Sequence, residues 1–142
     1  MKNVKQLLEE KGTRVWSIGP DATVYEALAL MAEKGVGALM VMDDTHPVGL
    51  LSERDYARNV ILKGRTSRDT PVRDIMSAPV LCVTPEQPLE EAMALMTEHR
   101  VRHLPVIRDE QLLGMVSIGD LIKSIISEQK FIIEQLEHYI SS

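Results

Sequence analysis

The stretch Gly49-Leu50-Leu51-Ser52-Glu53-Arg54-Asp55 decides how this chain is read, because it returns sixty-five residues later as Gly114-Met115-Val116-Ser117-Ile118-Gly119-Asp120. Both copies run glycine, two apolar residues, serine, two variable residues, aspartate. Each follows a β-type run and precedes a helical run, so each is expected to be a strand-to-helix turn with its polar atoms outward. A chain that builds this corner twice builds one site twice, or one site between two halves.

Working outward, Ile18–Asp55 lies over Val83–Asp120 without a gap, and fourteen of the thirty-eight positions are identical. Ordinary residue usage would give about two or three matches. Pro20/Pro85, Glu26/Glu91, Ala27/Ala92, Met31/Met96, Val36/Val101 and Asp44/Asp109 are among them. This is an internal duplication. Each copy reads β-α-β-β-α and is too small to bury its sheet alone, so two copies are expected to pack pseudo-symmetrically around a shared core.

The elements follow from local patterns. Val15–Ile18 reads as a strand, and Thr23 with Glu26 opens a helix through Lys34 by a capping-box pattern. Strands are expected at 35–42 and 47–52, then a helix from Glu53 to about Leu62. In the second copy a strand covers Val80–Val83, Pro88 begins a helix to about His99, and strands cover His103–Ile107 and Leu112–Ser117. Val4–Lys11 reads as a short helix outside the repeat, ending at Gly12. From Leu121 apolar residues recur at helical spacing to the C-terminus. The divisions expected are an N-terminal helix (1–12), a first repeat (13–64), a linker (65–78), a second repeat (79–127) and a helical extension (128–142). The fold class is α/β (α+β).

Bulk properties narrow the function. The net charge of −5 argues against nonspecific nucleic-acid or anionic-membrane binding. A single cysteine, Cys82, excludes an internal disulfide and suits a reducing cytosol. The start lacks the apolar run of a signal peptide, and no stretch reaches the length of a membrane span. A cytoplasmic location is the expectation.

Ser-x-x-Asp before a helix is, at its simplest, a capping box. Here it also ends a β-strand, where a helix N-terminus can meet an anion and an aspartate can accept hydrogen bonds from a ribose diol. Serine for phosphate and aspartate for ribose make a coherent nucleotide corner. His46, His99 and His138 are scattered, Cys82 has no partner, and there is no P-loop, hydrolase triad or G-x-G-x-x-G. No catalytic apparatus and no metal set is read, and an enzyme is not expected.

The duplicated unit, with its two Gly…Ser…Asp corners, resembles the cystathionine-β-synthase (CBS) domain, present as a tandem pair (a Bateman module) over roughly residues 13–127. The resemblance implies a regulatory module that binds an adenosine-containing ligand, AMP, ATP or NAD among them, in clefts between the copies. It implies further association into a disc of two pairs. Asp55 and Asp120 would hold ribose hydroxyls, while Ser52 and Ser117 would face ribose or phosphate. Val15-Trp16-Ser17 with Val36-Gly37-Ala38 would receive one adenine, and Pro79-Val80-Leu81 with Val101-Arg102-His103 the other. Arg102 and His103 resemble the basic pair that meets phosphate in nucleotide-sensing members, and Arg54 and Arg58 flank the first motif. A homodimer is expected, with the terminal helices near its interface and an unknown regulated protein as partner. The other reading is a ligand-independent dimerisation or scaffold protein.

Overall fold

A computed structural model describes residues 2–141; Met1 and Ser142, the outer ends of the two terminal segments, lie outside the described residues. Asn3 opens α1 (Val4–Lys11) by a reciprocal capping box with Gln6. After β1 (Ser17–Ile18), Thr23 caps α2 (Val24–Lys34), its Oγ1 accepting the Glu26 N–H at 3.1 Å. The hairpin β2 (Ala38–Asp43) and β3 (His46–Ser52) leads into α3 (Glu53–Tyr56), which continues as a π-helical turn, Ala57–Ile61. A 3-10 turn at Val72–Asp74 precedes the second copy, α4 (Leu89–His99), β4 (His103–Arg108), β5 (Gln111–Ser117) and α5 (Ile118–Ser141).

The duplication holds down to hydrogen-bond register. β2 pairs antiparallel with β3 and β4 with β5, with β-bulges at the equivalent steps Val41/Met42 and Val106/Ile107. β1 lies parallel beside β2, pairing Ile18 with Val41. The strand expected at Val80–Val83 shrinks to a single parallel bridge, Val83 to Val106, at the equivalent position. Prolines at 79 and 85 supply no N–H to a longer ladder. The expected strand at Val15–Ile18 is likewise cut to its last two residues.

The larger departure concerns α1. Val4 donates to Gln87 O and Lys5 to Pro85 O, while Val72 donates to Ala22 O and Arg73 to Pro20 O. Gln87 and Pro85 are the equivalents of Ala22 and Pro20, so residues 2–8 serve the second repeat as 70–76 serve the first. Each repeat thus takes an edge segment from the chain that precedes the other, and the two are laced together crosswise. The core divides accordingly, rather than being shared. One cluster holds Val4, Leu7 and Leu8 with Leu89, Met96, Leu104, Val116 and Leu121. The other holds Val72 and Ile75 with Val24, Met31, Leu39, Leu51 and Val60. Met40 and its equivalent Pro105 are buried on the opposite strand faces, and β3 contacts β5, so those faces meet between the repeats.

Candidate functional site

The two Ser-x-x-Asp corners are built alike. Ser52 stands in extended conformation at the end of β3, and its Oγ accepts the Asp55 N–H at 3.3 Å. Asp55 Oδ2 accepts the Ser52 N–H at 2.9 Å and the Ser52 hydroxyl at 3.1 Å. In the second copy Asp120 Oδ2 accepts the Ser117 N–H at 2.8 Å, and Ser117 Oγ accepts the Asp120 N–H at 3.2 Å. Capping therefore uses one carboxylate oxygen in each copy. Among the described residues Asp55 Oδ1 has only the Ser77 hydroxyl, at 3.5 Å, too long to hold it. Its remaining acceptor capacity faces a cleft.

The corners open on two clefts between the repeats. The first, about 400 Å³, sets Ser52, Arg54, Asp55 and Arg58 of one repeat against Pro79, Leu81, Val101, Arg102 and His103 of the other. The second, about 280 Å³, sets Ser117 and Asp120 against Val15, Trp16, Val36, Gly37 and Ala38. Of the strand residues grouped by the resemblance, Pro79 and Leu81 stand with Val101, Arg102 and His103 in the first cleft, and Val15 and Trp16 with Val36, Gly37 and Ala38 in the second. Each carboxylate meets apolar residues of the opposite repeat. Gly37 and His103 border both clefts. Ser17 and Val80 line neither: Ser17 is exposed on β1, and Val80 is half-buried beside the cleft wall.

The clefts differ in charge. Lys11, the last residue of α1, binds Asp120 Oδ2 at 2.6 Å and the Met115 carbonyl at 2.7 Å. Burial alone would push the Asp120 carboxyl up, but the Lys11 hydrogen bond, the Ser117 hydrogen bonds and the Lys11 charge hold it below its ordinary value. Trp16 in the same cleft lies under two cations, Lys34 at 4.4 Å and Arg14 at 5.5 Å from its ring centre. In the first cleft no cation pairs with Asp55 among the described residues, and the contact across it is Arg54 donating to the Arg100 carbonyl at 3.3 Å. Between them, burial lowers the pKa of His103; the charges of Lys11 and Arg102 add to this, and those of Asp120 and Glu53 oppose it.

Sequence reasoning missed Lys11, Arg14, Glu53, Ser77, His99 and Arg100 in these walls. Arg100 did leave a signal. It occupies the left-handed position after α4, φ 56°, that Gly35 fills after α2, φ 65°. Arginine costs more than glycine in this conformation, which sets the two copies apart at this position. Lys11 left none, because it looks like any cation in a last helical turn.

A family model for the CBS domain matches the chain twice, over residues 4–61 and 72–127. The chain belongs to the CBS-domain family. Both matches begin at the crosswise segments, Val4 and Val72. Among curated CBS-domain relatives, the mitochondrial protein CBSX3 of Arabidopsis thaliana is 41% identical over 91% of this chain and 65% of its own length. YhcV of Bacillus subtilis is 36% identical over 85% of this chain and 84% of its own. A solved CBS-domain structure from Burkholderia ambifaria superposes with a TM-score of 0.87 at 49% identity, covering 90% of this chain and 96% of that one. One from Agrobacterium tumefaciens gives 0.82 at 34%, covering 87% and 98%. Tandem CBS proteins are regulatory, signal-transducing modules. Among the described residues no helix is long and apolar enough to cross a membrane, and no cluster of metal-ligating side chains occurs.

Proposed function

We propose that this CBS pair is a sensor for adenosine-containing ligands, AMP, ATP or NAD, that binds them between the repeats and acts in trans on a partner protein. The observation that carries the reading is the first cleft: a carboxylate with one oxygen spent on capping and the other turned to a cavity walled by apolar strands and arginines. That is the donor and acceptor set a ribose diol, a purine face and a phosphate require. Occupancy can reach a partner only if it changes what the surface presents. Lys11 offers one route, since a ribose on Asp120 competes with the contact that ties α1 to the second cleft.

The same ion pair favours a second reading for that half of the molecule, in which Asp120 is structural and the protein serves as a ligand-independent scaffold. A second copy of this chain is the proposed dimer partner, seated on the exposed apolar residues of α5 and of the π-helical turn after α3. Mass spectrometry of small molecules released from the purified protein, with thermal-shift titrations of AMP, ATP, NAD and NADH, separates the readings. The sensor reading expects a co-purified or stabilising adenine ligand that is lost in Asp55→Ala/Asp120→Ala. No ligand and no shift at millimolar nucleotide would leave both aspartates as helix caps.

A further inference from the structure

The two clefts share a serine and an aspartate but not their cations, and we propose that the first cleft takes a ligand carrying a chain of two or three phosphates. The inference rests on the adenosine reading above and deepens it. Arg54 and Arg58 stand on the helical turns after β3; Arg100 and Arg102 stand on the facing wall, in the loop between α4 and β4. None of the four enters an ion pair among the described residues. The carboxylates on this lining are Glu53 and Asp55, two against four. Arginines left unpaired on both walls of one cavity repel each other until an anion fills it.

Geometry selects the size of that anion. A guanidinium fork grips a phosphate along one edge, and a single terminal phosphate offers edges for about two such forks. Forks from opposite walls, with the ribose anchored at Asp55, outnumber a monophosphate and match a longer chain. The second cleft is an internal comparison with the same corner. Its Lys11 is committed to Asp120 and Met115 O, its Arg14 lies over Trp16, and its volume is about 280 Å³ against 400 Å³. Arg100 adds a separate sign, held at φ 56° where glycine stands in the first repeat.

The test is magnesium-free titration calorimetry of the full chain with adenosine, AMP, ADP and ATP, repeated on Arg58→Gln, Arg102→Gln, Asp55→Ala and Asp120→Ala. Affinity should climb with phosphate number and fall steeply with salt. Each arginine variant should cut ATP affinity roughly tenfold while leaving adenosine unchanged, as loss of a charged hydrogen-bond partner does. Asp55→Ala should abolish the phosphate-dependent site, and Asp120→Ala should spare it. Arg58 and Arg102 are exposed, so their variants carry the test even if Asp55→Ala fails to fold. Equal affinity for AMP and ATP, or a phosphate-dependent site that follows Asp120, overturns the proposal and leaves the adenosine reading standing. Binding of none of the four compounds, nor of NAD titrated in the same way, overturns that reading and this one together.

Discussion

Lys11 and Asp120 couple the first element of the chain to the second capping corner, and the coupling should be visible as a pH effect. With Lys11 beside it, the folded chain holds the Asp120 carboxyl below its ordinary value of 3.8, so the folded state binds this proton less readily than the unfolded one. The contribution is therefore complete above the unfolded value and is lost as pH falls through the folded value. Both side chains are partly exposed, 31% and 24%, which holds the expected effect to about 1 kcal/mol. Lys11→Met should lower the melting temperature between pH 5 and 7, with the two curves converging once pH falls below the folded value of Asp120. An offset that persists at all pH would mean that lost packing or the lost hydrogen bond to the Met115 carbonyl, not the charge pair, is responsible. His103 acts in a different window. Burial lowers its pKa, so its effect is a loss of stability as pH drops below about 6.5, and the loss should be smaller in Lys11→Met, which removes one of the charges that add to the lowering.

At the scale of elements, two glycines record the crosswise exchange of edge segments. A Cβ on Gly114 would sit 2.8 Å from Leu8 Cδ2 and 3.0 Å from Cδ1, and one on Gly49 would sit 2.5 Å from Met76 Sδ and 2.9 Å from Cγ. Gly49 and Gly114 open the repeated motif, and Met76 and Leu8 belong to the two exchanged segments, so both halves use the same close approach. Gly114→Ala should destabilise by about 1–3 kcal/mol through overpacking. Leu8→Ala should also destabilise, yet the double variant should cost less than the sum, because the smaller side chain makes room for the new methyl. Denaturant unfolding of the four proteins measures this; strict additivity would show that α1 does not seat on β5 as described. The glycines were legible as part of the motif, but their reason was not. At an offset of 65 the repeat is plain from Ile18 to Asp55, where helix faces and the hairpin constrain residue type. The segments Lys2–Leu8 and Thr70–Met76 lie instead at an offset of 68 and share only one identical residue, Val4 and Val72. One segment is an eight-residue helix with its own Asn3 cap and the other a three-residue 3-10 turn. Their equivalence lies in backbone hydrogen bonds, which leave no mark on side-chain identity. The same holds for the clefts. Both aspartates and most cleft-wall strands could be read from the repeat, whereas Lys11 enters the second cleft from outside the aligned span.

The whole molecule leaves one surface unexplained by its own packing. α5 is twenty-four residues long, and its run from Ser127 to Ser141 is exposed apart from Glu128, which is partly buried. Ile122, Ile126, Ile133 and Ile140 fall within about 40° of one line along this helix at 3.6 residues per turn. They are 46%, 47%, 54% and 80% exposed. The first repeat has a matching exposed residue, since Ile61 is the equivalent of Ile126 and is 56% exposed. A continuous exposed stripe on one helix suits a second copy, because an isologous interface lets the same patch face itself across a twofold axis. Each isoleucine buried there would contribute about 1.5–3 kcal/mol, enough in combination to hold a dimer at micromolar concentration. Light scattering should therefore find the wild type dimeric and Ile126→Glu/Ile133→Glu monomeric, with the circular dichroism of the variant unchanged because neither side chain belongs to a buried cluster. A wild type that is monomeric at every concentration would assign the face to the regulated protein instead. Dimerisation that survives both glutamates would place the contact elsewhere and leave the α5 stripe as the surface through which occupancy is read.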